Sequence, residues 1–323
     1  MKIFRFCVFI ISKYLPVWIV FLSIIAYFFP QTFVSIRSLT GPALGIIFLL
    51  MGMSLSTSSL VSVIKKPAYM FAGVLLKWTI MVGVTLLTAY FFFKDEREIA
   101  IGIILAGVVP SGTSANLYTF MAGGEVALSV SMATADTFIS PVLTPVLAQW
   151  FAGQFIPIAF WPLFLSIIYI VFIPLLLGLL LQWKWTEKVK VIQPYTSALS
   201  MLALFIVVLS VVSSAQSSLA KNLDLLPLIF LAVFIQVSVP MLTGYLIARL
   251  FKIPEQNCRA ILFHTGICNT ALAATLAMEH ISSAAAVPSV ANMVVNLTLG
   301  AIVANVFSTK MDHLHQTKNE NPL

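Results

Sequence analysis

Charge is scarce in this chain: Asp, Glu, Lys and Arg make up 9% of its 323 residues, where a soluble domain carries about a quarter. A surface that poor in charge does not face water, which excludes an ordinary soluble globular domain. Cysteine is scarcer still. Cys7, Cys258 and Cys268 have neither the spacing of a zinc site nor that of a disulfide framework, so zinc and redox roles are not expected. Catalytic signatures are missing too: the chain contains no H-E-x-x-H, no G-x-S-x-G and no paired-aspartate motif, which leaves a membrane-embedded enzyme only an implausible Ser111–His264 dyad. The basic start FRFCVFIISKYLP lacks a small-residue cleavage site, so the first apolar stretch is expected to be retained.

Apolar sequence fills the space. Hydrophobic residues make up 60% of the chain and mean hydropathy is +1.03. Hydrocarbon cannot hydrogen-bond a bare backbone, so a spanning helix needs about 20 apolar residues. Cut at its charges and prolines, the chain yields ten expected spans, at 14–33, 41–60, 69–93, 99–122, 126–150, 158–182, 194–213, 225–248, 257–280 and 284–308. Ten spans put both termini on one side. With that side cytoplasmic, thirteen Lys and Arg lie inside against four outside (Arg37, Lys94, Arg97 and Lys221), and Lys77 falls within a span. The positive-inside rule therefore predicts a multi-pass protein of the cell inner membrane with both termini cytoplasmic. It also accounts for the net charge of +7 without nucleic acid. The last residues, 309–323, are polar and are expected to be disordered.

Five spans precede the link FAGQFIP and five follow it, and an odd number of crossings per half inverts one half relative to the other. The fourth span of each half is interrupted by small polar residues, PSGTSAN at 110–116 and HTGICNTA at 264–271. Paired interruptions at corresponding positions are the sequence mark of a transporter site at mid-membrane. Breaking a helix in lipid strands N–H and C=O groups at several kcal/mol each, so breaks survive only where they line a cavity or are buried in protein. Each break also creates a helix N-terminus with about half a positive charge and free donors, a seat for an anion. Thr113, Ser114, Asn116, Thr265, Asn269 and Thr270 are the side chains expected to join in. The alternative, that Pro, Gly and Ser merely kink two packed helices, fits the paired placement less well.

Lys77, Asp136 and His264 are the ionisable residues inside spans, and intramembrane charge marks a pathway or a coupling site. Counted from the cytoplasmic ends of their spans, all three lie roughly 10–15 Å deep. A Lys77–Asp136 pair with His264 nearby is expected, either as a lock between two helices or as a coupling site. His264 is either a neutral imidazole bonded to a freed carbonyl or the carrier of a transported proton, since imidazole is the side chain that changes charge near neutral pH. The Ser/Thr run MGMSLSTSSL at 51–60 is a further candidate cavity wall. Asn292 and Asn296, one turn apart, put two amides on one face of the last span. Trp18, Trp150, Trp161, Trp183 and Trp185 read as interfacial anchors.

The segments LLMGMSLS, VPSGTSANLYTFMAGGEVALSVS, SPVLTPV, NTALAATLA and AVPSVANMVVNLTLGAIVAN resemble those of the bile acid:sodium symporter family, and the resemblance runs from Pro16 to Phe307. It implies an all-α membrane fold of two inverted five-helix repeats. A panel formed by residues 1–66 and 153–220 would move against a core formed by 67–152 and 221–308, in which the two broken helices cross. It also implies a carboxylate site at Thr113, Ser114, Asn116 and Asn296. Where sodium-using relatives carry a glutamate, a glutamine and a further glutamine, this chain carries His264, Cys268 and Lys77. Asn116 and Ser129 match sodium ligands, while Ala115 and Ala133 do not. The expectation is a secondary transporter of a small monocarboxylate such as pantoate, ketopantoate or a keto acid, sodium-independent because Lys77 supplies the cation. No organic cofactor is expected, and protons are the alternative coupling ion. The competing readings are a sodium-coupled symporter with altered ion sites and an anion-binding receptor or channel. The expected partners are the anion and the bilayer, a monomer being sufficient.

Overall fold

The computed structural model describes residues 11, 14–55, 67–221 and 223–320, with side chains as far as 308. Among these the chain is helical, with no strand. Helix α1 (Leu15–Phe28) stops where Pro30 lacks an N–H and turns Phe29 away from helical geometry, to φ −121°. A short α2 (Pro30–Val34) and a 3-10 turn (Ser35–Leu39) lead into α3 (Thr40–Ser54). Then follow α4 (Pro67–Phe93), α5 (Arg97–Gly107), α6 (Ser114–Met121), α7 (Val126–Phe151), α8 (Phe160–Lys184) and α9 (Thr186–Lys221). The chain ends with α10 (Leu226–Leu250), α11 (Glu255–Gly266), α12 (Thr270–His280) and α13 (Ser283–Glu320). Seven helical stretches are long and apolar enough to cross a membrane. Large apolar side chains such as Phe71, Leu87, Phe91 and Leu250 point outward, as they do when the surrounding solvent is lipid.

One set of contacts holds α3 against α8 and α9, and α9 against α1; a second group links α4, α5, α10, α11, α12 and α13, and contacts of α9 with α13 and of α7 with α8 join the two. The α3–α8 seam is set by two glycines. A Cβ on Gly52 would stand 2.3 Å from the Leu175 carbonyl oxygen, and one on Gly178 would stand 2.2 Å from that of Leu49, so neither position takes a side chain without parting the helices. In α8 the segment Ile168–Phe172 is wound as a π-helix; Pro174 follows and cannot donate to the turn before it. A second π segment, Lys77–Met81, sits within α4 and turns Lys77, Trp78 and Met81 inward.

In the second group a buried amide pair joins four helices. Gln236 donates to Thr85 Oγ1 at 2.8 Å and to the Ile103 carbonyl at 2.8 Å, and Asn292 donates to Gln236 Oε1 at 2.9 Å. Amides inside a membrane protein need such partners, and the bonds hold α4, α5, α10 and α13 in register.

Two boundaries differ from the sequence reading. Helix α9 begins at Thr186 and passes through Pro194, because the residues before the proline supply a helix of their own. Helix α13 runs to Glu320 where disorder was expected from 309: between Gly300 and Pro322 the sequence has no Gly or Pro to stop it. Residues 56–60 of the Ser/Thr run, together with Cys7, lie outside the described residues.

Candidate functional site

The two interruptions are where the sequence puts them, and they lie against each other. Pro110 cannot donate to the turn before it, so α5 ends and the chain runs extended to Ser114. Between α11 and α12, residues 267–269 do the same. Ser111 and Cys268 form an antiparallel bridge: the Gly112 N–H donates to the Ile267 carbonyl at 3.0 Å, and the Asn269 N–H to the Pro110 carbonyl at 2.8 Å. Each break thus satisfies backbone groups that the other has freed. Gly112 is required for this approach, since a Cβ there would lie 2.8 Å from the Cys268 carbonyl oxygen.

Beside the crossing is a cavity of about 430 Å³. Thr113, Ser114 and Asn116 line it from one break, Cys268, Asn269 and Thr270 from the other, and Asn296 from α13. Across from them α9 contributes Thr196, Ser197 and Ser200, while Leu44, Ile47 and Met51 of α3 give the wall an apolar side. Ser129, expected with the ion site, does not line the cavity; its hydroxyl donates to Asn116 Oδ1 at 2.7 Å. Asn269 Oδ1 caps α12 by accepting from the Leu272 N–H at 3.1 Å. With both carboxamide oxygens occupied, the NH₂ groups of Asn116 and Asn269 are left to donate. The N-terminus of α6 has no side-chain cap; its Ala115 and Asn116 N–H groups donate to the Gly112 and Thr113 carbonyls. Asn296 spends its NH₂ on the Cys268 carbonyl at 3.0 Å. Thr265 does not join this group. It is fully buried and its hydroxyl bonds the carbonyls of Pro240, Ile261 and Leu262, so it fills the contact between α11 and α10.

On the other side of the crossing the three intramembrane charges come together, all with no exposure, but not as the sequence implied. Lys77 and Asp136 do not meet within ion-pair distance. Lys77 Nζ donates to the Val109 carbonyl, which the break has freed, and lies 3.4 Å from the centre of the Trp78 ring, a cation–π position. Asp136 accepts from Trp78 Nε1 at 2.8 Å and from the Ser111 N–H at 3.1 Å. The nearest basic side chain to it is His264, with Nε2 3.4 Å from Asp136 Oδ2. That distance suits an ion pair, but the alignment is not that of a hydrogen bond, and neither ring nitrogen of His264 has a hydrogen-bond partner. A break carbonyl was one expected partner of His264; Lys77 is bonded to one instead.

The sequence reading missed Trp78, which serves both charges; the signal was a tryptophan in mid-span, away from the interfaces where the other five sit. It also missed the α9 hydroxyls, which were visible as Thr196, Ser197 and Ser200 on adjoining turns.

The model of the Sodium Bile acid symporter family matches residues 41–222. A Bacillus subtilis (strain 168) protein, the uncharacterized sodium-dependent transporter YocS, is 33% identical over 91% of this chain and 91% of its own. The probable chloroplastic sodium/metabolite cotransporter BASS1 of Arabidopsis thaliana is 29% identical over 92% of this chain and 74% of its own. The human sodium-dependent organic anion transporter is 25% identical over 85% and 75%. With an all-helical membrane fold, two broken helices paired beside a polar cavity and a family match over more than half its length, this chain belongs to the sodium bile acid symporter family and is a multi-pass membrane transporter, not an enzyme.

Proposed function

We propose that the protein carries a small monocarboxylate across the cell inner membrane by alternating access, with no need for sodium. The observation that carries the anion reading is the polarity of the cavity wall. Asn116 and Asn269 have their oxygens engaged and N–H donors to offer, against one unpartnered amide acceptor, Asn296 Oδ1, and a carboxylate is an acceptor only. The cavity, about 430 Å³, has ample room for pantoate, ketopantoate or pyruvate.

In this reading the chain makes ten crossings in two inverted halves. The interrupted pairs α5/α6 and α11/α12 count as one crossing each, and their antiparallel pairing supports the inversion. Helices α1, α3, α8 and α9 form the panel, the other crossings form the core, and both termini are cytoplasmic. Lys77, anchored on the Val109 carbonyl, provides a fixed positive charge beneath the crossing in place of a bound cation.

A second reading has one observation in its favour. The relatives named above carry sodium in their names, and Asn116 and Ser129 keep the oxygen atoms that a sodium site would use. Uptake and exchange of labelled pantoate, ketopantoate and pyruvate by proteoliposomes in sodium or choline medium separate the two. An equal rate in both media is expected; a rate that collapses in choline establishes the sodium-coupled reading. Binding without accumulation would instead make the protein a receptor.

A further inference from the structure

We infer that His264 carries the coupling ion as a proton, held against Asp136, and that one proton crosses with each monocarboxylate. The inference rests on the carrier reading above and adds to it the energy source.

The geometry of His264 is the starting point. A neutral imidazole has one N–H to donate and one lone pair to satisfy, and buried polar groups are almost always paired. Here the ring is wholly buried and both nitrogens lack a hydrogen-bond partner, while Nε2 stands 3.4 Å from a carboxylate oxygen. The neutral ring is therefore poorly served by its surroundings. An added proton on Nε2 turns that approach into a charge pair with Asp136, which strengthens in a water-poor interior. Asp136 is built to stay ionised, because the Trp78 indole and the Ser111 amide both donate to it.

Charge balance sets the stoichiometry. Lys77 and Asp136 each have their own anchor, so a proton on His264 raises the charge of the cluster by one. A monocarboxylate in the cavity supplies one negative charge across a partition one extended strand thick: Ser111 donates to Asp136 on one face, and its bridge partner Cys268 lines the cavity on the other. Proton and anion therefore favour each other's binding, and by linkage the favour is mutual. The loaded site carries the same net charge as the empty one, so transport is electroneutral.

The other ionisable groups on the packed elements lie elsewhere. Cys268 is the one that adjoins the cluster, as a thiol at the crossing itself. On α11, Glu255 and Arg259 pair with each other, Glu255 also accepts from Tyr245 of α10, and Arg249 lies against that same pair. These sit near the start of α11, more than a helical turn from His264. Tyr118 of α6 donates to the Leu297 carbonyl. Tyr69 of α4 packs beside Ile261 and Cys258. The α7 face presents Asp136 alone, and α13 within the described side chains presents amides and hydroxyls but no charge.

The test uses the full-length protein in proteoliposomes with labelled pantoate in choline medium. Exchange at equal pH reports carrying; accumulation driven by a pH gradient, lumen alkaline, reports coupling. A gradient of about one unit should concentrate pantoate up to about tenfold, and clamping the membrane voltage with valinomycin should change nothing. His264→Gln should lose the accumulation, and its exchange at equal pH should need more pantoate than the wild type because the linked proton no longer favours anion binding. In detergent, adding pantoate to a weakly buffered solution should draw about one proton per bound anion into the wild type and none into His264→Gln. Accumulation by the variant equal to that of the wild type, or pantoate binding without proton uptake, overturns the proposal and leaves the carrier reading intact. Absent exchange in the wild type tells against the carrier reading itself.

Discussion

At the scale of single residues, the site works by committing hydrogen-bond acceptors. Ser129 is fully buried and never touches the cavity, yet it decides which end of the Asn116 amide faces the cargo. Ser129→Ala frees that oxygen to turn inward against a carboxylate. The net loss of such a bond is about 1–1.5 kcal/mol, or roughly a tenfold rise in anion Kd; calorimetric titration should read this, and the melting midpoint should fall slightly because Ser129 also accepts from Thr119 Oγ1. The same scale shows what a sequence conceals. Lys77, Asp136 and His264 stand out because charge in an apolar run is costly and therefore informative. Their partners do not stand out. The Val109 carbonyl and the Ser111 N–H are backbone groups that any residue would have supplied, and a tryptophan in an apolar stretch carries no mark of bonding a carboxylate. With the true partners hidden, the one cation and the one anion at equal depth were paired with each other, and Thr265, on the same interrupted segment as Asn269, was assigned to a cavity it does not face.

At the scale of elements, Pro110 and Gly112 are readable in advance because each denies the helix something definite: a donor in one case and a Cβ in the other. Pro194 is the contrary case. It reads as a helix start, yet α9 already has two turns behind it, and a proline's missing donor is costly only where the turn before it has nothing else to hold it. The α3–α8 seam was not legible at all, since Gly52 and Gly178 are far apart in sequence and only packing reveals that their helices touch there. Gly52→Ala drives a methyl group into the Leu175 carbonyl and should cost about 1–3 kcal/mol as overpacking. Gly83→Ala is its control: nothing lies within 4 Å of the added methyl group, and a helical Gly→Ala change stabilises by about 0.5–1 kcal/mol. Thermal unfolding in detergent should move in opposite directions for the two.

At the scale of the whole molecule, the two sets of helices are joined at several places. Arg37 donates to the Met278 carbonyl at 3.1 Å, and His280 Nε2 lies 2.8 Å from Ser166 Oγ; both contacts join one group to the other. Toward the end of α3 and the start of α9 the cavity reaches exposed Ser54 and Ser197. Ser197→Cys should therefore label with a membrane-impermeant maleimide from the side of the α8–α9 junction, and bound anion should slow the labelling. Adding Arg37→Ala removes a bond worth about 1 kcal/mol from this arrangement and should cut the labelled fraction by up to several fold. The expectation of a panel and a core came only through family resemblance, because nothing in composition or periodicity says which apolar helix touches which. The crossing of the breaks also bears on how the molecule is made. Its two hydrogen bonds join the early and late parts of the chain, and contacts between such distant segments close last. The first half leaves the ribosome with the Pro110 carbonyl and the Gly112 N–H unpaired, so each new chain must hold bare backbone at membrane depth until its second half arrives to cover it.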